Sequence, residues 1–172
     1  MSVYRLTLLA ILAALGVVGR SLFVFLPNVQ PVTAIIIIAG IILGPFSAFI
    51  LAFLITFLSN MLLGMGIWTV WQVISWGIIG LLSGIIGKIF KSIPIYMIAF
   101  MALFSGYFYG FIISLTTYQV TGKFWPYYML GIPFDTYHAI GNVVFVILLY
   151  PVIKYLMNRY AENRFQIQQA NE

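Results

Sequence analysis

Successive long apolar runs constrain this chain more than any other feature of its sequence. A helix that crosses about 30 Å of hydrocarbon needs about 20 mostly apolar residues, and runs of this kind follow one another from residue 6 to residue 157. Only 6% of the residues are charged, whereas soluble domains carry roughly a quarter. A surface with so few charges requires lipid as its solvent, so the chain is predicted to be an integral membrane protein.

The spans are separated by glycine, proline and polar residues. We predict an all-α fold of six transmembrane helices in one compact transmembrane domain, at residues 6–26, 32–43, 46–63, 71–87, 94–118 and 133–157, followed by a cytoplasmic tail at 158–172. The run 32–63 is divided at Gly44-Pro45 because proline starts a helix well and continues one badly. If Gly44-Pro45 only kinks a single span, the chain has five spans and its N-terminus lies outside.

The basic residues predict the orientation in the membrane, because Lys and Arg accumulate in cytoplasmic loops. Six of them fall on one side of the six-span topology: Arg5, Lys88, Lys91, Lys154, Arg159 and Arg164. Both termini are therefore predicted to be cytoplasmic, in a multi-pass protein of the plasma membrane. A signal peptide is a weaker interpretation of the start, since no small-residue cleavage motif follows before Arg20.

Polar side chains inside apolar segments are costly and tend to face a cavity, a partner or one another. Here they lie toward the predicted outer ends of the spans: Arg20, Asn60, Gln72, Asp135, His138 and Asn142. Arg20 is the natural counter-ion of Asp135 if the first and sixth spans touch, and a salt bridge and a ligand contact both stay open. Trp68 belongs to an interfacial aromatic belt or to the wall of a site for a flat ligand.

Several function classes find little support in the sequence. One histidine and no cysteine cannot supply a metal site, no nucleophile stands beside a base, and no phosphate-binding loop is present, so any ATP must be bound by other subunits. The net charge of +5 comes from residues at helix ends rather than from a nucleic-acid surface. An intramembrane enzyme that uses Asp135 and His138 remains a minor alternative.

Two loop stretches and one helix motif point to a family. The segments LPNVQPVT at 26–33 and GIWTVWQ at 66–72, with SWG at 75–77 and the pair Ala10 and Ala14, resemble the substrate-binding (S) subunit of energy-coupling factor (ECF) vitamin transporters. Within that family the loops are similar to the cobalamin-specific subgroup. The resemblance covers essentially the whole chain.

The resemblance implies a helical bundle that captures a vitamin, expected to be a corrinoid, from outside the cell. It implies a transmembrane coupling subunit that docks on Ala10 and Ala14, two cytosolic ATPases, and no cofactor in this chain. The residues expected to contact the ligand are Arg20, Asn28, Gln30, Asn60, Trp68, Gln72, Tyr127, Asp135, His138 and Asn142. The alternatives are an S subunit for another vitamin, or a small transporter or channel that works alone as a homo-oligomer.

Overall fold

The part of the chain that the structure describes is built from α-helices. The structure is a computed structural model that describes residues 3–90 and 92–160. Its helices are α1 (Val3–Leu22), α2 (Val32–Leu43), α3 (Pro45–Leu63), α4 (Trp68–Ile89), α5 (Ile95–Thr121) and α6 (Trp125–Tyr160). All except α2 are long and apolar enough to cross a membrane. The predicted all-helical membrane fold with six helices is confirmed, while the predicted tail from residue 161 onward lies outside the described residues.

A tight turn at Gly44 separates α2 from α3. Gly44 has φ +88°, a left-handed conformation that glycine adopts without steric cost, and Pro45 opens α3 at the first helical position. Gly40 and Ala48 stand on opposite sides of this turn, yet both pack against Gly80 of α4. The two helices therefore fold back on each other as a hairpin, which contradicts the alternative of one kinked span.

The helix α2 is the core of the bundle and not a full span. Its 12 residues give a length of about 18 Å, well short of the about 30 Å of hydrocarbon. Ten of these residues are buried, as expected for a helix that is apolar on every side. The prediction of a complete span at 32–43 is corrected accordingly, because protein rather than lipid surrounds this segment.

Several other boundaries differ from the sequence prediction, including the end of α1, which lies at Leu22 rather than at residue 26. α4 begins at Trp68 rather than at residue 71, and α6 begins at Trp125, so most of the predicted connection 119–131 is helical. Gly122, with φ +68°, ends α5. Pro133 lies inside α6 and does not start it, which is possible because neighbouring helices and local adjustments compensate for the missing N–H in a membrane helix.

Successive helices run in opposite directions, so their ends gather into two groups. Arg5, Lys88 and Lys154 belong to one group, which we call the basic end. The mutual contacts of Arg20, Asn60 and Gln72 mark the other group, which we call the polar end. The asymmetry expected from the sequence is thus present, and a cytoplasmic basic end follows from it as a prediction.

Candidate functional site

A pocket lies at the polar end, between α5, α6 and the segment 23–31 that joins α1 to α2. Its volume is about 290 Å³, at the lower limit of the roughly 300–1,000 Å³ typical of ligand pockets. The residues that line it are Asn28, Tyr109, Gly110, Ile113, Ser114, Thr117, Tyr127, Gly131, Phe134 and Asp135. Aromatic, hydroxyl, amide and carboxyl groups thus meet in one concave site.

The short length of α2 creates the room for this site. Thr33, in the first turn of α2, accepts a hydrogen bond of 2.9 Å from the indole N–H of Trp76. Trp76 is eight residues beyond the start of α4, which corresponds to about 12 Å along the helix axis. Between the start of α2 and the polar end, the bundle is therefore filled by the non-helical segment 23–31. This segment brings Asn28 to the pocket wall.

Asp135 lines the pocket, and one of its carboxylate oxygens is buried without a protein donor. The residue is 5% exposed, and its Oδ2 has no hydrogen-bond partner among the described residues. A Cβ atom added to Gly110 would overlap this carboxylate, so the acid fills the place of a side chain on α5. A buried polar group without a partner costs free energy, and a donor on a ligand would relieve that cost.

A chain of hydrogen bonds connects α1 to the pocket wall. Arg20 donates from Nη1 to Ser59 Oγ at 2.6 Å and to Asn60 Oδ1 at 2.8 Å. Asn60 Nδ2 donates to Gln72 Oε1 at 2.7 Å, and Gln72 Nε2 donates to the hydroxyl of Tyr109 at 2.9 Å. Four helices are linked in this way, and Tyr109 is the member that reaches the pocket.

Two aromatic rings pack against the ring of Tyr109. Its ring lies 4.8 Å from the ring of Trp76 and 4.9 Å from that of His138. The guanidinium of Arg20 lies 5.4 Å from the Trp76 ring, close enough for a cation–π attraction. The pocket wall is therefore supported by rings as well as by hydrogen bonds.

His138 fastens the segment 23–31 to the bundle. Its Nδ1 lies 2.8 Å from the carbonyl oxygen of Asn28 and must donate there, since a carbonyl only accepts. Its Nε2 then accepts from the hydroxyl of Thr33 at 3.0 Å, a tautomer assigned from these partners. Asn28 Nδ2 adds a hydrogen bond of 3.1 Å to the carbonyl of Phe134. Both imidazole nitrogens are thus used within the protein.

The residues predicted to contact a ligand fall into three groups. Asn28, Tyr127 and Asp135 line the pocket, whereas Arg20, Asn60, Gln72 and His138 form the buried network behind it. Gln30, Trp68 and Asn142 are outside the lining. Trp68 is 42% exposed and packs on Gly66, and Asn142 is buried lower in the bundle beside the carbonyl of Ala102.

The hypothesis of an ion pair between Arg20 and Asp135 is contradicted. The helices that carry them, α1 and α6, share no contact in the described part of the chain, whereas α2 packs against both. Arg20 instead donates hydrogen bonds to Ser59 and Asn60 of α3. The core helix thus separates the two residues that simple charge pairing would have joined.

Tyr109, Ser114 and Thr117 were not predicted from the sequence, although α5 carries signals for them. Gly106 and Gly110 are four residues apart and lie against Ala139 and Asp135 of α6, which marks the face of α5 that meets α6. Tyr109 lies beside Gly110 on the pocket wall. Ser114 and Thr117 are polar residues three apart within an apolar helix, a pattern that indicates a polar surface.

Ala10 and Ala14 lie on the outward face of α1. Both are exposed, while Leu9, Leu12 and Ala13 of the same helix are buried against the bundle. The two alanines are four residues apart, so they stand above one another on one helix face. Within the described part of the chain, neither alanine is buried against another helix. Packing inside the chain therefore does not explain why the residues on this face are small.

The site offers little to a metal ion. Residues 3–90 and 92–160 contain no group of three or more His, Cys, Asp or Glu side chains that could hold one. The single histidine near the pocket already uses both nitrogens. The chemistry available in the pocket is hydrogen bonding and ring stacking.

Comparison with known protein families identifies a match for the first half of the chain. Residues 1–94 match the family model described as "ECF-type riboflavin transporter, S component". The matched part covers α1 to α4 and therefore most of the buried network, although α5 and α6 lie beyond it. No curated protein and no solved structure matches the chain.

Proposed function

The chain belongs to the S components of ECF transporters, and from this premise we propose that it captures riboflavin in the pocket at the polar end. S components are transport proteins rather than enzymes and carry no cofactor. They are multi-pass proteins of the bacterial or archaeal plasma membrane, and they work with a transmembrane coupling subunit and ATPases. The ligand and the residues that bind it are the proposal.

The description of the matching family carries the choice of riboflavin. The cobalamin assignment made from the loop sequences finds no support in that match. The size of the pocket points the same way, because about 290 Å³ suits a small, flat vitamin at the lower limit of ligand pockets. A corrinoid macrocycle is far larger than a three-ring isoalloxazine and would require the bundle to open.

The chemistry of the lining also suits riboflavin, which joins a flat ring system to a chain of hydroxyl groups. Tyr109, Phe134 and Ile113 supply ring faces and apolar surface for the isoalloxazine. Asn28 and Asp135 supply hydrogen-bonding groups for the polar parts. In this proposal no ligand atom is bound by the buried network, which consists of Arg20, Asn60, Gln72 and His138. The network instead holds Tyr109 and the segment 23–31 in place.

Riboflavin fluorescence provides the test. The purified chain is titrated into riboflavin, and we expect saturable quenching with a Kd of about 1 µM or tighter, a free energy of about −8 kcal/mol, because the ring would stack on tyrosine. Thr117→Ala, in the pocket, should weaken binding, whereas Thr121→Ala, one turn further along α5 and exposed, should not. Cobalamin measured by calorimetry is the competing ligand. Saturable cobalamin binding without riboflavin binding would overturn the assignment.

We propose further that the coupling subunit docks on Ala10 and Ala14. Close contact between membrane helices requires small residues, and these two are exposed on α1. Ala14→Leu should abolish co-purification with the coupling subunit and ATPases while the Kd for riboflavin stays within about twofold. Val120→Phe, which adds similar bulk at an exposed position of α5, is the control. Retention of the complex by Ala14→Leu would remove this face as the docking site.

A further inference from the structure

We infer that Asp135 determines the specificity of the pocket: its carboxylate receives the hydroxylated side chain of the flavin and rejects the phosphate ester of that side chain. The inference rests on the proposed function, and it names the part of the ligand that faces α6. It follows from the charge of the pocket and from the hydrogen-bonding capacity that its side chains have left.

The side chains that line the pocket carry a negative charge and no positive charge. Of the ten described residues that line the pocket, Asp135 is the one that bears a formal charge, and none is Lys, Arg or His. The half-buried cation of the network, Arg20, is directed to Ser59 and Asn60 of α3. A phosphate monoester would therefore enter a site that holds a negative charge and offers no positive one. Placing like charges together at a desolvated interface is strongly unfavourable.

The side chains around Asp135 keep several hydrogen-bond acceptors available to a ligand. Asn28 donates one N–H of its Nδ2 to the carbonyl of Phe134, which leaves its second N–H to donate and its Oδ1 to accept. Ser114 donates its hydroxyl proton to the carbonyl of Gly110 at 2.9 Å, which leaves its oxygen to accept. The carboxylate of Asp135 accepts only, and its Oδ2 has no donor among the described residues. Such a wall favours a ligand segment that brings several donors.

Among the parts of riboflavin, the side chain fits this preference. Each of its hydroxyl groups can donate one hydrogen bond, whereas the isoalloxazine has mainly acceptors and a single ring N–H. Tyr109 complements the ring instead, because its hydroxyl accepts from Gln72 and keeps its own proton to donate. The pocket thus divides into an acceptor wall at Asp135 for the hydroxyl chain and a ring wall at Tyr109 for the flavin.

Three ligands and one isosteric variant test this division. Kd is measured by fluorescence quenching for riboflavin, for its 5′-phosphate, and for lumiflavin, which keeps the ring and lacks the hydroxyl chain. Each is titrated into the unaltered chain and into Asp135→Asn, with Thr121→Ala as a control outside the pocket. Thermal melting of Asp135→Asn reports whether the variant is folded.

We expect the unaltered chain to bind riboflavin at least about tenfold more tightly than its phosphate ester. In Asp135→Asn we expect the affinity for riboflavin to fall about tenfold and the affinity for lumiflavin to change by less than about twofold. The ratio of the affinities for riboflavin and its phosphate ester should shrink about tenfold. The discrimination shown by the unaltered chain tests the inference even if the variant does not fold.

The contrary outcomes are distinct. Equal binding of riboflavin and its phosphate ester by the unaltered chain would overturn the inference and leave riboflavin capture standing. An equal loss of riboflavin and lumiflavin in Asp135→Asn would place the carboxylate against the ring and also overturn it. Absence of binding to every flavin would remove the proposed function and the inference together.

Discussion

Replacing Asn60 by alanine tests the buried network most directly. The side chain is 1% exposed and joins three helices: it accepts from Arg20 at 2.8 Å and donates to Thr69 at 2.9 Å and to Gln72 at 2.7 Å. Asn60→Ala removes all three hydrogen bonds at once. It also leaves the buried amide of Gln72 without one partner.

The magnitude follows from measured values for side-chain hydrogen bonds in membrane proteins, about 0.6 kcal/mol each on average and about 1.7 at most. Three bonds give about 2 kcal/mol, and the bond to the charged Arg20 should lie at the upper end of the range. We therefore expect Asn60→Ala to lower the free energy of unfolding by about 2–4 kcal/mol.

Asn142→Ala is the matched control. Asn142 is also fully buried, so both variants lose a similar volume, but it makes one long hydrogen bond of 3.4 Å and its Oδ1 has no partner among the described residues. We expect Asn142→Ala to lower the free energy of unfolding by about 2 kcal/mol less than Asn60→Ala does. Both free energies are measured by reversible unfolding in lipid-detergent mixtures. If Asn60→Ala costs no more than Asn142→Ala, the network does not stabilise the bundle and our reasoning fails.

Two glycine pairs give further predictions. Gly110→Ala should abolish riboflavin quenching, because its Cβ would overlap the pocket carboxylate. Gly131→Ala, also in the lining but with a Cβ that would lie 4.0 Å from the same group, should weaken binding less; equal affinities would contradict the pocket geometry. Gly84→Ala should lower the melting temperature clearly and cost about 1–3 kcal/mol, since its Cβ would overlap the backbone of the α2–α3 turn. Gly77→Ala meets only the flexible ring of an exposed phenylalanine at 2.9 Å and should melt near the unaltered chain; the reverse order would mean that the turn does not pack on α4.

The arrangement of the two ends has a consequence for transport. The pocket and the segment 23–31 lie at the polar end, whereas Arg5, Lys88 and Lys154 lie at the basic end. Arg20 connects α1, which carries the proposed docking face, to the pocket wall through Asn60. The network thus connects the pocket wall to the helix that carries the proposed docking face, which it meets at Arg20 near the polar end.

Much of the architecture could be predicted from the sequence because it depends on local properties. The transfer of an apolar run into lipid depends on that run alone, so the order of residues is sufficient to indicate the helical membrane fold and the break at Gly44-Pro45. The cost of burying polar groups is also local. It directed attention to Asp135, which lines the pocket. Asn28 and Tyr127, which also line it, were expected only from the family resemblance.

The tertiary structure decided how these elements meet. That α2 is a buried core helix, that Arg20 bonds to α3 rather than to Asp135, and that Tyr109 forms the pocket wall all depend on contacts between distant parts of the chain. His138 and Asn28 are bonded across 110 positions of sequence. Such pairs are set by the packing of close-fitting helix faces, and no short stretch of sequence contains the geometry that brings them together.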